Sequence, residues 1–396
     1  MIRAVRLRKR LGDFELRRVS FEVATGTYAV LLGPTGCGKT VLLETLVGIN
    51  RPDDGHVWLD GQDVTDVAPE RRGIGFVYQR SMLFPHLSVR QNVAYGLRYH
   101  GVPRREYRAR VDQVASLLGI SHLLDRGVGA LSGGEMQKVA LGRALAIEPR
   151  VLLLDEPLAA LDPISKEALR TQLAAIHRQT GTTILHVTHD QEEARVLGQV
   201  VGVMRAGELL QFGPKDEVFD RPGSAFVARF VGTENVFRGS ASRDGRLLRV
   251  ELGCGNVFAD SGREGDEARG AGPEGSSASG STSSLAPRPS SPPPAAGWVG
   301  LCVRPEQISI EAATSPTSRG PNHIEGIVDS VSDRGPLVRY QVLTAKEPFV
   351  VLQTKKDYAA AGAAVGQRVA LGFEPSAAHV FPWEDEPEPQ ETPQEP

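Results

Sequence analysis

The apolar positions of this chain fall into two regimes. Up to about residue 232, short continuous apolar runs at 28–32, 151–154 and 183–187 alternate with stretches of helical period. Such runs are the pattern of parallel strands buried on both faces, and their alternation with helices predicts an α/β unit around a mostly parallel sheet. Within it, residues from about 84 to 147 have helical character; the segment 104–118 is charged and periodic and reads as an exposed helix. From residue 233 the period shortens to two. Alternating segments at 246–252, 298–303, 324–331, 337–342, 349–352 and 368–373 predict a small all-β domain reaching residue 383. The pentapeptide Asn235-Val236-Phe237-Arg238-Gly239 is echoed by Asn322-His323-Ile324-Glu325-Gly326, each followed by a turn and a β-like run. A duplicated β unit and a chance echo are both open at this point.

Two stretches break the pattern. Residues 262–296 are dominated by Gly, Ser, Pro and Ala, and residues 384–396 alternate Glu with Pro. Neither can bury enough apolar surface to offset its ordering entropy, so a flexible insert in the β domain and a disordered tail are expected. The 396 residues exceed one ordinary domain, and 40% hydrophobic with 23% charged residues is the composition of a globular protein. A net charge of −3 gives no basic field, so no nucleic-acid partner is expected. No apolar run approaches the length needed to span a bilayer, and the N-terminus lacks the apolar stretch of a signal peptide. Any membrane role is therefore expected to be peripheral. The three cysteines, Cys37, Cys254 and Cys302, have no metal-ligand spacing, and their odd number argues against a disulfide framework; a reducing cytoplasm fits.

Chemistry enters at two strand ends. Gly33-Pro34-Thr35-Gly36-Cys37-Gly38-Lys39-Thr40 lies between an apolar strand and the helical run 41–46, the context a phosphate-binding P-loop requires. Its glycines allow several N–H groups to face inward as a nest, and the helix N-terminus adds positive potential. Lys39 is then placed to reach β- and γ-phosphates, and Thr40 to put its hydroxyl on Mg²⁺. Cys37 reads as a small residue at a permissive loop position. The second strand, 151–154, ends in Asp155 and Glu156. A buried parallel strand delivers its last side chains to the sheet edge where ligands bind. Asp155 suits Mg²⁺, and Glu156 suits polarising an attacking water.

A P-loop with an acidic strand leaves many nucleotide-hydrolysing families open. Leu131-Ser132-Gly133-Gly134-Glu135, followed by Met136-Gln137-Lys138 and a helix with Arg143, narrows them, because it resembles the signature of ABC ATPases. The resemblance covers residues 1–232, with the region 84–147 as the family's helical subdomain. Gln79 resembles the Q-loop glutamine, which serves metal and water. Ala160-Leu161-Asp162 resembles the D-loop, and His189 the switch histidine that contacts the γ-phosphate. The family solution is a head-to-tail homodimer in which each ATP is sandwiched between one P-loop and the partner's Ser132-Gly133-Gly134-Glu135. The family also stacks adenine on an N-terminal aromatic; Phe14 could serve, or could be a strand core residue. The run Leu83-Phe84-Pro85-His86-Leu87-Ser88-Val89 resembles the importer surface that faces a transmembrane permease subunit.

Val303-Arg304-Pro305-Glu306 and the β pattern around it resemble the TOBE domain, an OB-like β domain attached to many importer ATPases. Residues 322–381, Val77-Tyr78-Gln79 and the run 184–189 are similar to the molybdate/tungstate subgroup. The resemblance therefore implies an ATP-hydrolysing importer subunit on the cytoplasmic face of the membrane. It would work with permease subunits and, through them, an extracytoplasmic solute-binding protein, with molybdate or tungstate as cargo. Sulfate, iron, polyamine and sugar importers, and a soluble non-transport ABC ATPase, are the alternatives. Ser330, Ser332, Thr354, Lys355 and Lys356 are candidate oxyanion ligands in the β domain, but Glu374 stands where anion-binding relatives carry a basic residue.

Overall fold

The structure is a computed structural model describing residues 1–260, 297–312 and 321–383. The proposed insert at 262–296 and the tail at 384–396 lie outside the described residues. The chain divides into two compact units, Met1–Val218 and the residues from Phe219 onward.

The first unit begins with β1 (Ile2–Leu11) and β2 (Phe14–Val23), then β3 (Tyr28–Leu32) and α1 (Lys39–Val47), followed by β4 (Asp54–Leu59), β5 (Gln62–Asp63) and β6 (Ile74–Val77). A helical stretch follows, with α2 (Val89–Ala94), α3 (Tyr107–Leu117) and α4 (Gly133–Leu145). The predicted helix at 104–118 opens on a 3-10 turn, Arg104–Glu106, before α3 begins. The unit is completed by β7 (Val151–Asp155), α5 (Pro163–Thr180), β8 (Thr183–Thr188), α6 (Gln191–Leu197), β9 (Val200–Arg205) and β10 (Glu208–Pro214).

The main sheet has the order β10-β9-β3-β8-β7-β6, parallel from β9 to β6, with β10 antiparallel on the edge. Every residue of β3, β7 and β8 is buried, as their unbroken apolar runs require. A second, antiparallel sheet, β2-β1-β4-β5, shares a core with the first through Ile2, Leu7, Phe21 and Val57, packed with Leu31, Leu42 and Val187. The alternation of Arg with aliphatic residues at the N-terminus is the signature of this half-buried sheet.

The second unit takes in α7 (Lys215–Asp220) from Phe219 onward, then α8 (Ala225–Phe230), β11 (Asn235–Asp244), β12 (Leu247–Leu252), β13 (Gly255–Asp260), β14 (Gly297–Val303) and β15 (Ser309–Ala312). After these come β16 (Asn322–Arg334), β17 (Leu337–Leu343), β18 (Pro348–Thr354), α9 (Lys355–Ala361), β19 (Arg368–Phe373) and β20 (Ala378–Pro382). Helix α8 belongs here because Ala225 and Ala228 pack with Cys302 and Phe381.

The pentapeptide echo marks a duplication. The two sheets run β13-β12-β11-β14-β20 and β18-β17-β16-β19-β15, so the copies share strand order and exchange their last strands. The two asparagines perform the same task in opposite directions. Buried Asn235 of β11 donates to Val350 O (2.8 Å) and accepts from Val350 N–H (2.7 Å). Buried Asn322 of β16 donates to Phe258 O (2.8 Å) and accepts from Phe258 N–H (2.6 Å). Each amide thus completes a backbone pair in the opposite sheet. The echoed Gly239 and Gly326 are equivalent too: a Cβ on either would lie 2.5 Å from the Cγ1 of a valine, Val250 or Val342. Between the sheets Phe237 meets Phe349 at 4.5 Å within one apolar core. Asn235→Ala and Asn322→Ala should each strand a backbone N–H and C=O, buried at Val350 and partly buried at Phe258, costing about 2–4 kcal/mol. Calorimetry of the full chain should show both lowering the same transition by similar amounts; an effect at one site only would refute the equivalence.

Candidate nucleotide site

Strands β7, β8 and β3 are neighbours, so the loops leaving their C-terminal ends meet above the sheet. The loop after β3 runs from Gly33 to α1, whose N-cap is Gly38 at φ 102°, with no side-chain cap on the helix. The first-turn N–H groups of α1 are therefore left to an acceptor from outside the helix. Gly38 is obligatory for two reasons: an L side chain disfavours that φ, and a Cβ would collide with the Phe14 ring. Phe14 is half-buried against the apolar core and packs on the P-loop itself. Cys37 is buried beside the same loop, and burial pushes its thiol up in pKa, which makes it a poor nucleophile.

Lys39 is only 5% exposed. Its ammonium donates to Gly33 O (2.7 Å) and Pro34 O (3.1 Å) and lies 3.4 Å from Glu156 Oε1. Thr40 Oγ1 donates to Asp155 at 3.0 and 3.2 Å. Burial raises the Asp155 pKa, the Thr40 hydrogen bond offsets this only in part, and Glu156 raises it further. A carboxylate whose charge is disfavoured in this way, beside a hydroxyl, is a fitting oxygen pair for Mg²⁺. Among the described residues no group of three or more His, Cys, Asp or Glu could hold a metal unaided.

Glu156 follows β7 at φ 42°, a left-handed conformation that costs a non-glycine residue about 1 kcal/mol or more. Its N–H donates to Val187 O of β8 (3.0 Å), which fixes the turn and leaves the carboxylate only 13% exposed. His189, just past β8 and 53% exposed, places Nδ1 3.1 Å from Glu156 Oε2. Lys39, Thr40, Asp155, Glu156 and His189 are thus one constellation drawn from three strand ends. Gln79 is exposed on the loop after β6. Asp162 caps α5, accepting from Ile164 and Ser165 N–H at 3.1 Å; the Ser165 hydroxyl and then these N–H groups lower its pKa.

Ser132 caps α4 in a capping box: its hydroxyl accepts from Glu135 N–H, and Glu135 Oε2 accepts from Ser132 N–H at 2.8 Å. Gly133 and Gly134 need no glycine for the sake of the chain's own packing. A Cβ at Gly133 meets nothing within 4 Å, and one at Gly134 meets nothing nearer than 3.8 Å. What glycine permits here is close approach from outside the chain. Helix α4 also holds the loop after Gln79, which sequence spacing did not reveal. Arg143 donates to Met82 O (2.9 Å) and Ser81 O (3.3 Å), and Ser81 Oγ donates to Gln137 (2.8 Å). Phe84 lies tilted against Tyr95, ring centroids 4.2 Å apart, under the Arg143 guanidinium.

In the second unit the candidate oxyanion ligands are partly engaged already. Lys355 pairs with Asp333 at 2.8 Å, and the Thr354 hydroxyl donates to Asp357 at 2.7 Å.

The ABC transporter family profile matches residues 16–159 and the TOBE domain profile residues 301–381. A molybdate/tungstate import ATP-binding protein, WtpC, of Pyrococcus horikoshii is 38% identical over 385 residues, 96% of this chain and 100% of the relative. WtpC of Thermococcus kodakarensis is 50% identical over 238 residues, 60% of this chain and 72% of the relative. Import ATP-binding proteins for spermidine/putrescine and sulfate/thiosulfate also match. Among solved structures, the dimeric ATP-binding cassette MJ0796 bound to ADP and Pi has a TM-score of 0.50 at 28% identity, covering 54% of this chain and 99% of its own. No helix of the described residues is long and apolar enough to cross a membrane. The chain belongs to the ABC transporter family, as an import-type ATP-binding subunit with a C-terminal TOBE domain.

Proposed function

We propose that two copies of this chain close head-to-tail on ATP and Mg²⁺ and drive import of molybdate or tungstate through transmembrane permease subunits, from the cytoplasmic face. The constellation at the ends of β3, β7 and β8 carries the hydrolytic part. Lys39 turns from the carbonyls of Gly33 and Pro34 to the β- and γ-phosphates, joined by N–H groups of the loop from Gly33 to Thr40. Thr40, Asp155 and the exposed Gln79 hold Mg²⁺, which when bound neutralises charge on the phosphates. Glu156 accepts a hydrogen bond from the attacking water and takes its proton as the bond between the γ-phosphorus and its bridging oxygen breaks, giving ADP and Pi. His189 faces the γ-phosphate and keeps Glu156 aligned. The partner's Ser132, Gly133, Gly134 and Glu135 close the pocket, which accounts for two glycines with no role in their own chain's packing.

Asp162 rigidifies the turn beside that interface. Phe14, packed on Gly38, offers its remaining face to adenine. The Phe84–Tyr95–Arg143 surface receives the permease, and an extracytoplasmic solute-binding protein supplies the solute from the other side. Molybdate or tungstate as cargo is supported by relatives matched over 96% of the chain. The test is uptake by the complex of this chain with its permease in vesicles. ATP-dependent accumulation of molybdate or tungstate, unaffected by excess spermidine, is expected. Uptake of sulfate or a polyamine instead would overturn the cargo while leaving the motor intact.

A further inference from the structure

A partly buried polar cluster lies behind the hydrolytic residues and is used by none of the steps above. Lys166 sits on α5, one turn beyond Asp162. Its ammonium is 2.5 Å from Asp190 Oδ2 and 2.9 Å from Glu193 Oε1. Asp190 is the residue after His189. Its Oδ1 caps α6, accepting from Glu192 N–H (2.7 Å) and Glu193 N–H (3.2 Å), and its own N–H donates to Thr188 Oγ1 (3.1 Å). Glu193, 1% exposed, lies 3.3 Å from Nε2 of the fully buried His186 on β8. His186 Nδ1 is 3.1 Å from the hydroxyl of Tyr28 on β3. One turn further along α5, Arg170 reaches Glu192 of α6 at 3.0 Å.

The electrostatics make this cluster stiff. Burial by itself would raise the Glu193 pKa, yet His186, Lys166 and the Thr188 hydroxyl hold it down to about 2, so it stays an anion. Burial and the Glu193 charge keep the Tyr28 hydroxyl protonated, so it acts as the donor toward His186. A single cation therefore ties two carboxylates, one buried and one capping, across the turn that carries His189. Buried charges paired on several sides resist displacement, because each movement leaves a charge without its partner.

We infer that Lys166 is a positioning residue for ATP hydrolysis: it locks the Thr188–Asp190 turn, sets His189 against Glu156, and ties that turn to the helix that Asp162 caps. The inference rests on the hydrolytic roles proposed above for Glu156 and His189. Lys166 touches neither substrate nor reacting atoms, so its loss should appear in turnover rather than in nucleotide affinity. Misplacement of a group by about 1 Å commonly costs up to about a hundredfold in rate.

The test is steady-state ATPase of the full chain, reconstituted with its permease. Lys166→Met should lower kcat about ten- to a hundredfold with KM for ATP within about twofold, and Lys166→Arg should restore most of the rate. In a His189→Ala background Lys166→Met should cost nothing more, because the residue it positions is gone. Asp190→Asn, which keeps the helix cap but weakens the tie to Lys166, should follow Lys166→Met and decides the matter if Lys166→Met does not fold. An unchanged kcat, a parallel rise in KM, or losses that multiply in the double variant would overturn the inference. If Glu156→Gln turned over normally, the hydrolytic reading itself would fall, an outcome separate from these.

Discussion

Glu156→Gln should bind ATP as the unaltered protein does and hydrolyse it about 10²–10⁴ times more slowly, the usual yield of a positioned general base. Glutamine is close to isosteric and still reaches Lys39 and His189, so the 3.4 Å and 3.1 Å contacts that shape the site need not be lost. What disappears is the capacity to take a proton from water. On the proposed head-to-tail closure, in which hydrolysis precedes reopening, the variant should also accumulate as a nucleotide-loaded dimer. Single-turnover measurement of Pi release, with light scattering on the same sample, checks both parts. Normal turnover would remove Glu156 from the chemistry, and a slow variant that stays monomeric with ATP would remove the dimer.

Lys39→Ala should fail at the preceding step. The ammonium is buried and held by two backbone carbonyls and Glu156, which keeps it aimed into the loop before nucleotide arrives. On the role proposed for Lys39, its replacement removes a charge-assisted contact to two phosphates in a largely buried site. Such contacts are worth about 2–4 kcal/mol, or about a 30- to 1000-fold weaker Kd. Lys39→Arg should not rescue it, since a planar fork does not fit where a compact ammonium turns between carbonyls and phosphate. Titration calorimetry with a non-hydrolysable ATP analogue distinguishes the two variants: Glu156→Gln retains the binding isotherm and Lys39→Ala loses it. Equal affinities would mean that the loop's N–H groups hold the phosphates without the lysine.

Much of this site could be read from the chain as written, because its chemistry is written in contiguous words. A P-loop works through consecutive N–H groups and one lysine, so its spacing is fixed by local geometry. The acid pair is likewise a strand and its last side chains, and the signature is a helix cap followed by two glycines. Six strands of the β domain announced themselves by their period of two, although β11, β13, β15 and β20 were not among the alternating segments.

What residue order could not convey is contact between segments far apart in the chain. The echo of Asn235 in Asn322 is a true duplication because both amides clamp backbone across the gap between sheets, 115 and 64 residues away in sequence. The Lys166–Glu193–His186–Tyr28 cluster unites four elements that no motif links, and Arg143 grips a loop some sixty residues upstream of it. Taken alone, the sequence determined the family, the phosphate chemistry and the kind of each domain, because these reside in local propensity and short-range spacing. Tertiary structure alone decided which side chains stand within hydrogen-bonding reach, because strand order and helix packing set distances that are not proportional to separation along the chain.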